Sequence, residues 1–254
     1  PATTDAGGHA LGDIRTQLDP DALKGARIGI VRNRLFGYSP AADRIAEQAI
    51  AAMRARGAVI VDPAEIPTLG QFEDSEMEVL LYEFKADLAT YFAWLGPGSP
   101  ARTLGDVIAF NRAHTSEELS HFGQELLTLS DQTDGLASPK YQAALEKNRR
   151  LARTDGIDAV MNRLQLDALV APTGGPAWLT DFVNGDAVGG SASTIAAVAG
   201  YPHVTVPAGF ERGLPIGVSF IGRAWSDAHL IGLAYAYEQA TRQRRPPTFR
   251  SSVQ

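Results

Sequence analysis

The run from Leu166 to Gly209, LDALVAPTGGPAWLTDFVNGDAVGGSASTIAAVAGYPHVTVPAG, constrains the fold of this chain more than any other stretch. Asp167 to Pro172 is an apolar run of strand length, and a long Gly-rich loop follows it. Ser193 to Ala199 then reads as a short Ala-rich helix, and His203 to Pro207 returns as strand. A loop this long between apolar elements is uncommon inside a domain unless it carries function. Its glycines let backbone approach a ligand closely, so the pattern reads as the wall of a cleft.

The rest of the chain supplies a sheet for that wall to belong to. Arg27 to Arg32 contains the buried run Ile28, Ile30 and Val31. Ser39-Pro40 is a helix start with Ser as N-cap and Pro at the first helical position, and Ile45, Ala49, Ala52 and Met53 recur at helical spacing before Gly57 ends the helix. Ala58 to Val61 returns as strand, giving a β-α-β unit of the kind that builds parallel sheet. Further helices are predicted over about Phe72 to Trp94, Thr103 to Arg112, Ser116 to Leu129, and Ser138-Pro139 to Leu164. Glu211-Arg-Gly turns a hairpin into Pro215 to Gly222, and Ser226 is the predicted cap of a last helix, Ala228 to Thr241. No repeat, low-complexity tract or linker divides the chain. The expected class is α/β: one mixed β-sheet whose faces, including Val218, Phe220 and Ile221, are covered by helices.

Composition excludes several function classes. With 254 residues and 44% hydrophobic content the chain can bury a sizeable core, and its net charge of -6 gives no electrostatic reason to expect nucleic acid or an anionic membrane as partner. Arg244 and Arg245 are too few to change this. There is no cysteine, hence neither a disulfide framework nor a thiolate metal site. No apolar run approaches the roughly 18 to 20 residues that span a bilayer, so no membrane partner is expected. The chain begins PATTDAGGHA without an initiator Met, which predicts a gene product that starts upstream; the compartment, cytoplasmic or periplasmic, stays open.

The candidate chemistry concentrates in the long loop. Gly189-Gly190-Ser191-Ala192-Ser193 invites a nucleophile reading, but a nucleophile elbow needs G-x-S-x-G on a strand-to-helix turn, and the last position here is Ser193. Ser191 or Ser193 fits better as a helix N-cap. The five histidines form no metal-binding spacing. His203, entering a strand after Pro202, reads as a half-buried, hydrogen-bonded side chain rather than a general base. Asp181, Asn184 and Asp186 stand among Trp178 and Phe182, a mixture of amide, carboxylate and aromatic groups suited to a small-ligand or peptide pocket, although Asx-turns explain such residues as well. Tyr82, Glu83, Phe84 and Lys85 are further candidates for the cleft, with Lys85 more readily a surface or ion-paired residue than a Schiff-base lysine. No metal and no cofactor are expected.

Several segments resemble the C-terminal half of the amidase signature family. LDPDALKGARIGIVR, LDALVAPT, ASTIAAVAGYPHVTVPAGF and GLPIGVSFIGRAWSD are similar to that family's wording, and YEFKADLATYF with APTGGPAWLTDFVNGD is most like the bacterial peptide amidase branch. Enzymes of this family hydrolyse amides with a Ser nucleophile, a second Ser in a cis peptide, and a Lys, all carried in segments that would lie before Pro1. The resemblance therefore implies that residues 1-254 are the C-terminal portion of one amidase domain, that no catalytic residue can be carried over, and that the partner is the missing N-terminal half. It further implies an amide or peptide-amide substrate cleaved to acid and ammonia through an acyl-enzyme, with Trp178, Phe182, Asn184 and Asp186 lining the channel and Ser191, Ser193 and Thr194 facing the acyl pocket. The alternatives are a non-catalytic peptide- or amide-binding subunit and an amidotransferase A-type subunit.

Overall fold

The computed structural model describes residue 9 and residues 12–249. These fall into two compact units, one formed by residues up to Gly70 together with those from Leu151 onward, the other by Gln71–Arg150.

The first unit is built on a five-stranded mixed sheet. Strand β1 (Arg27–Ile30) leads into helix α1 (Pro40–Ala55) and then β2 (Val59–Val61), which pairs parallel with β1. Both ends of α1 form as predicted. Ser39 Oγ accepts the Ala42 N–H at 3.3 Å, Pro40 sits in the first turn, and Gly57 takes the left-handed φ of 88° that ends the helix. On the other side of β1 lies β3 (Ala168–Pro172), also parallel, and every residue of β3 is buried.

The hairpin completes the sheet. β4 (His203–Glu211) and β5 (Leu214–Ile221) run antiparallel, and β5 pairs with β3, so the strand order is β2-β1-β3-β5-β4. Arg212 and Gly213 both adopt positive φ, 49° and 79°, as a two-residue hairpin turn of the kind matched to strand twist requires. A register shift between Pro207 and Gly209 inserts one extra residue into β4.

One face of this sheet is covered by α1 and by α9 (Asp227–Thr241). Ile28, Ile30, Val170, Val218 and Phe220 pack there with Ile45, Met53, Leu230, Leu233 and Tyr237, all with 2% exposure or less. Burying each such side chain stabilises the fold by about 1.5–3 kcal/mol before chain entropy is counted. On the opposite face Gly29 leaves no room for a methyl group, because a Cβ there would collide with Leu166 Cδ1 and lie 2.8 Å from Ala64 Cβ. Ile221, expected to need cover, is fully buried.

The second unit is helical. α2 (Glu73–Leu95) carries acidic residues in its first turn, where the macrodipole favours them, and packs against α6 (Pro139–Arg149) through Val79, Tyr82, Tyr141 and Ala144. α3 (Leu104–Ala113) opens on a capping box in which Thr103 and Asp106 satisfy each other's backbone N–H groups. The helix predicted over Ser116 to Leu129 is instead two: α4 (Thr115–Glu118) and α5 (Glu125–Asp131). Gly123 lies in the break, and Gln124 there accepts from Asn111 Nδ2 and donates to Ile108 O, tying the turn back to α3.

The helix predicted from Ser138 to Leu164 is also interrupted. After α6 the chain widens into a π-helical stretch over Arg150–Asp158, with Gly156 at non-helical φ −99° and ψ −107°, before α7 (Ala159–Leu164). Within this stretch the Leu151 carbonyl accepts the Thr68 hydroxyl at 2.7 Å. The predicted cap Ser226 works differently from expectation, and Ser138 at the start of α6 does not cap by its side chain either. Ser138 Oγ meets Tyr82 Oη at 3.3 Å and Ser226 Oγ donates to Arg223 O at 2.8 Å, so neither caps its helix by its side chain.

Candidate functional site

The carboxyl end of β3 is where the long loop leaves and returns. Gly174 pairs with Ser191 as a short antiparallel bridge, and the Ala192 N–H donates to Thr173 O at 3.1 Å, which closes the loop at its neck. Beyond the neck begins α8 (Ser193–Ala199), whose Ile195, Ala196 and Ala199 are buried. Its far end is held by Arg153, which donates from Nε to Ala199 O at 2.5 Å and lies over the Tyr201 ring at 5.6 Å. Tyr201 in turn donates to Asp158 at 2.8 Å. A cation at a helix C-terminus is favourable to the helix dipole.

The two glycines before Ser191 have a steric role. Neither Gly189 nor Gly190 adopts the left-handed φ that glycine alone tolerates easily. The Tyr38 ring, from the turn between β1 and α1, lies against them instead. A Cβ on Gly190 would fall 2.5 Å from Tyr38 Cδ1 and 2.6 Å from Cγ, and one on Gly189 3.3 Å from Cδ2. The Tyr38 hydroxyl reaches Pro172 O at 3.4 Å, and burial, with Asp43 nearby, pushes its pKa up to about 12. The pair of glycines thus lets backbone lie on an aromatic face.

Ser191 and Ser193 are exposed and hydrogen-bonded to each other, Oγ to Oγ, at 2.8 Å. Ser191 Oγ also accepts the Ser193 N–H at 3.1 Å, yet the N-cap position of α8 is Ala192, so neither serine is the cap that the sequence predicts. Thr194 is half-buried in the first turn.

In the loop, Asp181 accepts N–H bonds from Val183 and Asn184 at 2.8 and 2.9 Å and the Asn184 side-chain amide at 2.8 Å. Those bonds, the Asn184 backbone first, hold its carboxyl below the usual range. Asn184 is therefore engaged in an Asx-turn. Asp186 accepts from Trp178 Nε1 at 3.1 Å, which clamps the indole across the loop. Trp178 and Phe182 are exposed, together with Leu179, Val183 and Val188.

Beside the neck lies a hydrogen-bonded row that sequence reasoning missed apart from its histidine. His203 Nε2 stands 2.6 Å from Ser219 Oγ, Ser219 Oγ 2.8 Å from Thr173 Oγ1, and Thr173 Oγ1 2.6 Å from Thr205 Oγ1. Ser219 is fully buried, Thr205 exposed. Burial holds the His203 imidazole pKa below its ordinary value, which favours the neutral ring. Gly217 makes the row possible, since a Cβ there would lie 2.6 Å from Thr205 Oγ1 and 2.9 Å from Thr173 Oγ1. The hairpin turn was legible, but the extra residue in β4 that sets Ser219 opposite Thr205 was not.

The candidates on α2 serve their own unit. Tyr82 is buried, Tyr141 donates to Glu83 at 2.8 Å, Phe84 is exposed, and Lys85 donates from Nζ to Asp131 O and Thr133 O at 2.6 and 2.9 Å. Lys85 thereby satisfies carbonyls at the end of α5. Among the described residues no group of three or more His, Asp or Glu is placed to hold a metal ion, and no helix is long and apolar enough to cross a membrane.

The family model for Amidase matches residues 14–231, which contain the whole of this architecture from the first strand to the start of α9. The chain belongs to the amidase signature family. Within that amidase family it is 33% identical over 244 residues to a probable amidase of Arabidopsis thaliana, an alignment covering 94% of this chain and 42% of the relative. It is 32% identical over 231 residues to the A-type subunit of the glutamyl-tRNA(Gln) amidotransferase of Deinococcus radiodurans, covering 86% of this chain and 46% of that one. Among solved structures it is similar to the native peptide amidase from Stenotrophomonas maltophilia, with 49% identity, a TM-score of 0.88, and coverage of 98% of this chain and 50% of that one. The chain spans about half the length of the amidase relatives it matches.

Proposed function

We propose that this chain is the C-terminal portion of a longer amidase domain that releases ammonia from a carboxamide, the C-terminal amide of a peptide, through an acyl-enzyme. The observation that carries the reading is the 49% identity to a peptide amidase along 98% of the chain, over the segment that includes the Gly-rich loop. The loop's composition supports it: an indole held by Asp186, the exposed Phe182 ring, and Asn184 beside it offer apolar area with a few polar groups, as peptide-binding walls do. Ser191, Ser193 and Thr194, at the closed neck, would face the acyl part of the substrate.

Nucleophilic attack by a serine needs a base to take its proton and donors aimed at the oxyanion. The hydroxyls of Ser191 and Ser193 are hydrogen-bonded to each other, and Ser191 further takes the Ser193 N–H. That pairing brings no base to either hydroxyl, so this portion supplies binding and walls, and the reactive groups come from the complementing portion. Ammonia release from a C-terminally amidated peptide tests this. The purified chain and its Ser191→Ala variant should both release none. Release by the chain that disappears in the variant would make Ser191 a nucleophile and sink the reading.

A further inference from the structure

The row His203–Ser219–Thr173–Thr205 has a property that follows from counting protons. Each hydroxyl carries one hydrogen and can accept more, while an imidazole nitrogen either donates or accepts. Suppose His203 Nε2 carries no proton. Ser219 must then donate to it, Thr173 must donate to Ser219, and Thr205 must donate to Thr173. The exposed Thr205 hydroxyl has spent its hydrogen inward and can only accept from outside. Suppose instead that Nε2 carries a proton. Ser219 accepts it, and being fully buried has only Thr173 to donate to; Thr173 then donates to Thr205, whose hydrogen is free to point outward. An intermediate order either sets the lone pairs of Ser219 and Thr173 face to face or leaves the half-buried Thr173 hydroxyl hydrogen without an acceptor in the row, a cost that polar networks avoid.

We propose that these four groups form one ordered hydrogen-bond chain that makes Thr205 a subsite for the amide or acid group of the ligand, with His203 as a positioning residue that sets whether Thr205 donates or accepts. The proposal rests on the amide-binding reading above and deepens it. A carboxamide offers both N–H donors and a carbonyl acceptor, so it can meet Thr205 in either order. A carboxylate, the product of amide hydrolysis, can only accept and is held only when Thr205 donates. Occupation of Thr205 by an acid therefore requires a proton on His203 Nε2, three bonds away. Three features of the fold serve this chain: the register shift that brings Ser219 opposite Thr205, the closed neck that fixes Thr173, and the missing Cβ at Gly217.

The test is nitrogen-15 NMR of the imidazole in the 254-residue chain, titrated with an N-acetylated dipeptide as its amide and as its free acid. Saturation with the acid should move His203 to the form protonated at Nε2, with backbone shifts at Thr205. In Thr173→Val, which keeps the branched shape and cuts the chain of hydroxyls, the acid should still perturb Thr205 while the imidazole signals stay as in the free protein. Imidazole signals that ignore the acid in the wild type, or that respond equally in Thr173→Val, overturn the proposal. Perturbation at Trp178 and Ser191 with none at Thr205 overturns it while leaving the amide-binding reading intact; no perturbation anywhere from Thr173 to Thr205 overturns both.

Discussion

Replacing Gly190 by Ala puts a methyl carbon 2.5 to 2.8 Å from three atoms of the Tyr38 ring, where carbon contacts normally settle near 3.5–4.0 Å. The ring must retreat by about 1 Å, and overpacking of this kind costs about 1–3 kcal/mol. Ala at a position free of left-handed φ also narrows the unfolded ensemble, which returns about 0.4–1 kcal/mol, so a net loss of about 1.5 kcal/mol is expected. Tyr38→Ala alone removes a half-buried ring; full aromatic burial is worth about 3–5 kcal/mol, so about 2 kcal/mol is expected. In the Tyr38→Ala background the obstacle is gone. There Gly190→Ala should be neutral or slightly stabilising, giving a coupling of about 1–2 kcal/mol between residues far apart in sequence. Urea unfolding of the four proteins, followed by tryptophan fluorescence, measures it. A Gly190→Ala cost that is the same with and without the ring would refute the account of the glycine pair.

Two further outcomes follow from the same neighbourhood. Burial lowers the folded-state pKa of His203, whereas the unfolded imidazole titrates near its ordinary value of about 6.5; the unfolded chain then binds the extra proton, so stability is fully present above about pH 6.5 and falls as pH drops toward the folded value. Unfolding free energies from pH 8 to 5 should fall less steeply in His203→Gln, and equal slopes would count against the buried ring. Arg153→Met should lose about 1–2 kcal/mol by removing a charged donor from the end of α8 and the cation over Tyr201. Arg153→Lys should recover part of it, and amide exchange in Ile195–Ala199 should rise in the first variant more than the second.

What was legible in the sequence was local. The Ser39-Pro40 start, the Gly57 stop and the Arg212-Gly213 turn each rest on the chemistry of a few adjacent residues, and all three form where expected. Helical spacing was less reliable over long spans. It ran through Gly123 and Gly156 because apolar residues recur on both sides, and neither the tie of Gln124 to α3 nor the bond of Thr68 to the Leu151 carbonyl is visible in periodicity. At the site, Asp181 and Asn184 read equally as pocket or turn residues, and the Asx-turn is the part that their hydrogen bonds display. Thr173, Thr205 and Ser219 gave no signal because β4, β5 and the residue after β3 bring them together: counted back from the hairpin turn with no bulge, Thr205 would lie opposite Phe220, and the hydroxyls would face different sides of the sheet.

β4 forms one margin of the five-stranded sheet, and nine residues of it run from His203 to Glu211. A margin that long is a template on which other strands can crystallise, copy after copy. Pro207 sits in its middle, without an N–H to offer, and the register shift follows at once, so the strand is cut into two short pieces, neither long enough to seed a flat stack. The kink that aligns Thr205 with Ser219 is also a guard against self-assembly. Deleting Ala208 straightens it while keeping Pro207 opposite Gly217 and Thr205 opposite Ser219, so it should cost solubility and leave the hydroxyl row in register.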